Sequence, residues 1–140
     1  MHENSSRQDY TRRPARKFIQ YPKCTTCQKA KKWLDDRGIS YEDRHIKENN
    51  PTYEELKEWH ARSGLPLKRF FNTSGLLYKE LQLKDKLPEM SEDEQLKLLA
   101  TDGMLVKRPL VAADDFVLVG FKEKEWAEAF GSMLEFPGIL

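Results

Sequence analysis

The feature that most constrains the fold is an apolar period that switches repeatedly between strand-like and helical along the chain. A short strand-like run, FIQY (18–21), leads into a segment where Ala30, Trp33 and Leu34 recur at helical spacing. ISYEDRHI (39–46) then returns to a strand-like alternation through Ile39, Tyr41 and Ile46. From about residue 50 to 102 the spacing is helical almost throughout. It reverts in MLVKRPLVA (104–112) and FVLVGF (116–121), which read as strands separated by ADD, a break of hairpin length, before KEKEWAEAF (122–130) closes as a helix. Two parallel strands joined through a helix need a right-handed crossover, and a hairpin can extend such a sheet at its edge. The predicted class is α/β: a mixed β-sheet, βαβ then ββα, with an all-helical insertion over about residues 50–102 between the second and third strands.

Local signals place the element ends. Pro22 ends the first strand, Thr25 or Thr26 can cap the helix that follows, and Gly38 is a natural left-handed stop. In the insertion, Thr52 with Glu55 and Ser91 with Glu94 are capping-box pairs; the first predicts a helix closed by Gly64, the second a helix ending at Gly103. Between them, LKRFF reads as a short turn or helix, and LLYKELQL as a helix with Leu77, Leu81 and Leu83 on its apolar side. Trp33, Trp59 and Trp126 take helix positions that face a core.

At 140 residues the chain suits one domain, read here as residues 18–130. Residues 1–17 are polar, with Arg12, Arg13, Arg16 and Lys17 clustered at their end, and read as a flexible arm. Residues 131–140 form an apolar tail suited to packing back or meeting a partner. The 24 Lys plus Arg against 23 Asp plus Glu leave no overall field of the kind that draws nucleic acid or an anionic membrane. No apolar run is long enough for a membrane span, and the start lacks a secretory h-region, so the expected location is cytoplasmic.

In a reducing compartment a close thiol pair is more often catalytic, redox-sensing or metal-binding than structural. Both cysteines lie in YPKCTTCQKAKKWL (21–34), where strand gives way to helix. A helix N-terminus offers unpaired N–H groups and a partial positive charge, which favour a thiolate. Cys24 at that threshold is the expected nucleophile; Cys27, one turn inside on nearly the same face, is placed to resolve a mixed disulfide. Lys23 and Lys29 add local positive charge. A structural zinc site needs about four ligands, and only His45 and His60 could join the pair, so no metal site is expected and both histidines read as surface residues.

Farther along, Pro109 follows Arg108 at what reads as the end of the third strand, where a ladder strand would not put a proline. A cis Arg108–Pro109 bond would set Pro109 opposite the cysteines and leave backbone groups free for a substrate. Arg108 would point at the sulfurs, and Lys107 stands beside it as a candidate substrate contact or an ordinary strand-end charge.

YPKCTTCQKAKKWLDDRGI, FFNTSGLLYKEL, SEDEQLKLLATDGMLVKRPLV and VGFKEKEW together resemble the ArsC/Spx/MgsR family of arsenate-reductase-like, thioredoxin-fold proteins over about residues 18–130. The resemblance implies a thioredoxin-like sheet with a helical insert, a reactive cysteine opening the first helix, and a cis proline after the arginine of KRP. Arsenate reductases of that family hold their oxyanion with the cysteine and three arginines. In this sequence the first of those positions is Asn72 and the last is Lys122, so Arg108 alone is retained. A lone arginine is a poor cage for a dianion. Asn72 and its neighbour Thr73 read equally as helix caps or as substrate contacts. Glutathione-dependent members lack the second cysteine that Cys27 supplies, which implies a branch that closes an internal disulfide.

The expectation is a thiol–disulfide oxidoreductase acting on a thiol, a disulfide or a small oxyanion. It would have no tightly bound cofactor, drawing electrons from glutathione or a thioredoxin-like protein partner. The alternative is an Spx-like redox-sensing regulator that binds the RNA polymerase α subunit rather than nucleic acid directly, although WHARSGLPLKRFF does not look like the regulator's binding segment.

Overall fold

The computed structural model describes residues 16–131. Most of the proposed arm and nearly all of the proposed tail therefore lie outside the described residues. Lys17, grouped with the arm on sequence, is the first residue of β1 (Lys17–Gln20), and the Arg16 carbonyl accepts from the Glu42 N–H at 2.9 Å. β1 leads through α1 (Thr25–Asp36) to β2 (Glu42–His45), which pairs parallel to it, Lys17 against Glu42. After the insertion, β3 (Leu110–Ala112) runs antiparallel to β1, and β4 (Val117–Val119) antiparallel to β3, followed by α6 (Glu123–Ala129). The four-stranded sheet has the order β2-β1-β3-β4, the expected mixed α/β arrangement.

Side-chain alternation along the strands divides the core in two. Phe18 and its register partner Val111 face one side, where Ala30, Trp33 and Leu34 of α1 meet Trp126 of α6 and the adjoining Phe130. Ile19 and its partner Leu110 face the other, against the insertion. Trp126 is fully buried, and its indole N–H donates to the Gly120 carbonyl at 3.0 Å, which fixes α6 to the end of β4.

The insertion comprises α2 (Tyr53–Ser63), a 3₁₀ turn at Leu67–Phe70, α3 (Leu76–Glu80), α4 (Leu83–Lys86), a second 3₁₀ turn at Leu87–Glu89, α5 (Glu92–Leu99) and a third at Gly103–Leu105. Both capping boxes form: Thr52 with Glu55 opens α2, and Ser91 with Glu94 opens α5. Glu55 also pairs with Arg44 of β2 through two 2.8 Å hydrogen bonds, while the same guanidinium donates to the carbonyls of Asn49 and Asn50. That buried arginine ties the edge strand to the first helix of the insertion.

Four sequence expectations are corrected. The first helix is capped by Cys24, with Thr25 already helical. LLYKELQL is two short helices because Gln82 adopts a left-handed conformation, φ 57°, between them. Gly103 ends no helix: α5 stops at Leu99, and Gly103 packs so tightly that a Cβ there would lie 1.8 Å from the Ile46 carbonyl oxygen. Finally, β3 begins at Leu110, so Pro109 precedes that strand. Residues 106–107 pair elsewhere: Val106 bridges Phe71 and the Lys107 N–H donates to the Phe70 carbonyl at 2.8 Å.

Candidate active site

The site is assembled where β1 turns into α1. The Cys24 N–H donates to the Tyr21 carbonyl at 2.9 Å, a tight turn around Pro22 that delivers Cys24 as the helix cap in extended conformation, φ −87° and ψ 122°. Cys24 is partly exposed and Cys27 is fully buried; both are free thiols. Cys27 is the third residue of α1, so its amide is one of those the helix leaves unpaired at its start.

The two sulfurs differ in acidity. Burial tends to raise the Cys24 thiol, but the Cys27 amide, the Cys27 thiol and the Arg108 guanidinium together outweigh it and hold Cys24 below the ordinary cysteine value. No side-chain cap hydrogen bond is fully formed at this helix start, so the amide acts on the sulfur chiefly as an oriented dipole alongside the arginine. Cys27 is pushed up to about 12, first by burial and then by the negative charge of its neighbour, against the lowering pull of the Tyr21 amide. That amide donates to Cys27 Sγ at 3.5 Å. A nucleophilic thiolate and a protonated reserve thiol are thus set side by side.

Arg108 comes from the segment ahead of β3. The Arg108–Pro109 peptide is cis, as the resemblance implies. The Pro109 carbonyl accepts from the Gly120 N–H at 2.8 Å, which ties this segment to the end of β4. Arg108 lowers Cys24 chiefly through its nearby positive charge. Its Nε and Nη1 are buried without a protein partner, and its Cζ lies 5.2 Å from the centroid of the Tyr21 ring. Two orphaned donors of a guanidinium suit a carboxylate or another anion.

Arg108 and Asn72 line one groove of about 320 Å³, together with Lys47, Leu76, Asp102 and Met104. Cys24 is not in that lining, so Arg108 is the link between groove and sulfur. Neither Asn72 nor Thr73 caps α3; its cap is Gly75, with no side-chain cap hydrogen bond. Lys107 and Thr73 line a neighbouring groove of about 330 Å³ with Lys68, Arg69 and Phe71. Lys23 is exposed on the turn, and Lys122 is the exposed cap of α6. Sequence reading assigned no role to Tyr21 or Lys47. Tyr21 had a weak signal, its place three residues before Cys24; Lys47 had none, because only the packing of the insertion over the end of β2 brings it near Arg108. His45 and His60 pack edge-on against Tyr21 and Phe70. Among the described residues no cluster of three or more His, Cys, Asp or Glu is arranged to hold a metal, and no helix is long and apolar enough to cross a membrane.

A mixed sheet with helices on both faces, a cysteine opening the first helix and a cis proline just ahead of β3 define an α/β protein of thioredoxin-like fold. The chain belongs to the ArsC family, whose model matches residues 19–129. It is 59% identical over 111 residues to the Bacillus subtilis protein YusI, a match covering 79% of this chain and 94% of that one. It is 32% identical to the regulatory protein MgsR of the same organism, covering 77% and 84%. The crystal structure of an ArsC family related protein from Bacteroides fragilis superimposes with a TM-score of 0.80 at 61% identity, covering 81% of this chain and 96% of that one.

Proposed function

We propose that the protein is a thiol–disulfide oxidoreductase in which Cys24 attacks and Cys27 resolves. The observation that carries this reading is the asymmetry of the pair: a partly exposed sulfur made more acidic beside a buried one made less so. The Cys24 thiolate attacks one sulfur of a substrate disulfide; that S–S bond breaks, the departing thiolate takes a proton from solvent, and a mixed disulfide remains on Cys24. Capping Cys24 removes the negative charge that helps hold Cys27 protonated, so Cys27 becomes easier to ionise once it is needed. Cys27 then gives up its proton and attacks Cys24 Sγ, expelling the second substrate thiolate and closing the Cys24–Cys27 bond. Two electrons pass from the protein dithiol to the substrate. Glutathione or a thioredoxin-like protein, acting in the cytoplasm, would return them, with no tightly bound cofactor.

Arg108 stabilises the attacking thiolate and, through its orphaned donors, an anionic substrate group in the groove shared with Asn72. Arsenate is a poor substrate on this reading, because Asn72 and Lys122 replace two of the arginines the resemblance calls for. The test is reaction with a small disulfide such as oxidised glutathione. The protein should become two hydrogens lighter and release two equivalents of thiol, Cys24→Ser should abolish the reaction, and Cys27→Ser should stop at the mixed disulfide. Persistence of both free thiols would reject the reading.

The likeness to MgsR favours a second reading, in which the same pair switches a regulator that binds the RNA polymerase α subunit. Recovery of that subunit by the reduced or the oxidised protein would support it, and recovery by neither would discard it.

A further inference from the structure

We propose that Tyr21 is the positioning residue of the site, its ring face holding the Arg108 guanidinium against the Cys24 sulfur. The proposal takes Cys24 as the attacking sulfur from the reading above. Three separate contacts converge on Tyr21. Its carbonyl accepts from the Cys24 N–H at 2.9 Å and its N–H donates to Cys27 Sγ at 3.5 Å, so its backbone locates both sulfurs. Its ring lies 5.2 Å from Arg108 Cζ. Nε and Nη1 of Arg108 have no hydrogen-bond partner, so the aromatic face is a contact that helps define where this guanidinium rests.

The ring is braced in turn. The His45 ring stands edge-on to it, with centroids 5.7 Å apart and planes at 83°, and Tyr21 packs on the core cluster that faces the insertion. The charged and titratable groups around Tyr21 are therefore Arg108 from the segment before β3, Cys24 and Cys27 from α1, and His45 from the end of β2, with Glu48 4.0 Å from His45 Nε2. A guanidinium with two of its three nitrogens unpartnered would, without the ring, sample several rotamers, and its charge would reach the sulfur only part of the time. Stacking on a ring fixed by its own backbone removes that freedom without using a guanidinium donor. Among the described residues no hydrogen bond uses the Tyr21 hydroxyl, and the Arg108 guanidinium lies over the ring itself.

The test follows the pH dependence of Cys24 alkylation by iodoacetamide in the full chain, resolved from Cys27 by peptide mass mapping. Tyr21→Leu should move the Cys24 midpoint upward by roughly 0.5 unit, a loss of about threefold in thiolate at pH values below the midpoint. Tyr21→Phe should leave it unchanged. In an Arg108→Met background Tyr21→Leu should have no further effect, which a merely structural role for the ring would not reproduce. If Tyr21→Leu fails to fold, the wild-type protein still decides: the Arg108 Nε proton should carry an upfield ring-current shift in its NMR spectrum. An unshifted Nε proton, a silent Tyr21→Leu, or an equal effect with and without Arg108 would overturn the proposal. Because alkylation is read rather than turnover, a failure of disulfide exchange would leave this result standing.

Discussion

Arg108 places its charge against Cys24 while stacking on Tyr21, and the adjacent Cys27 sulfur is sealed inside the fold. The acidity of the outer sulfur thus depends on a residue more than eighty positions away in sequence. Arg108→Met should raise the Cys24 midpoint by roughly one unit, the low end expected for removing a nearby opposite charge at a partly solvated site. Arg108→Lys, which keeps the charge but loses the planar fork, should fall between. Alkylation at a series of pH values checks this; a midpoint unchanged in Arg108→Met would remove the arginine from the site.

Arg44, next to His45 in β2, and Glu55 predict a stability effect. The side chain of Arg44 is 7% exposed and that of Glu55 29%, and the hydrogen bonds from Arg44 are the foremost reason Glu55 sits below the usual carboxylate range. Arg44→Met should destabilise the protein by about 2 kcal/mol, since it removes a buried guanidinium's bonds to a half-buried carboxylate that also serves the Thr52 cap. The sign with pH follows from the lowered folded-state value. The contribution is fully present above the ordinary glutamate range and is lost as pH falls through the folded value. Urea unfolding from pH 7 to pH 3 should show a shallower acid limb in Glu55→Gln than in the wild type; parallel limbs would refute the linkage.

Two glycines should fail for different reasons. Gly103→Ala should cost about 3 kcal/mol, because its Cβ would meet a backbone oxygen that no rotamer change can move. Gly64, at φ 69° with open space around it, should cost only about 1 kcal/mol as alanine, the penalty of a left-handed backbone alone. Chemical denaturation of the two variants gives the comparison, and equal losses would contradict it.

What could be read from the sequence was what local chemistry decides. The capping boxes at Thr52 and Ser91 are reciprocal hydrogen bonds within four residues, and Gly38 and Gly64 take left-handed conformations that glycine alone adopts freely. The alternation that puts Phe18 and Ile19 on opposite faces of the sheet is equally local. Gly103 was misread because a glycine needed for close approach looks in sequence like one needed for a turn. Nothing in LLYKELQL announces the break at Gln82, a residue with no preference for that conformation. The β3 boundary was misplaced because Val106 and Lys107 pair with Phe71 and Phe70 across the insertion, partners that no periodicity reveals. Of the site, the cysteines and Arg108 were legible from residue type and position. The contact that orients Arg108 required the fold.

The sealed thiol predicts an alkaline effect of the opposite sign to that of Glu55. The folded-state value of Cys27 is raised to about 12, so its contribution is complete below the ordinary thiol range and is lost as pH climbs through that value. Between pH 8 and pH 11 the stability of the wild type should fall more steeply than that of Cys27→Ala, measured by urea unfolding under reducing conditions. Equal slopes would mean the buried sulfur does not resist ionisation.

The most direct measurement of the central claim is site-resolved alkylation of the reduced wild-type chain across pH. Cys24 should react with a midpoint below that of an ordinary cysteine, while Cys27 stays unmodified through neutral pH. A Cys24 midpoint at or above the ordinary value, or modification of Cys27 first, would contradict the account.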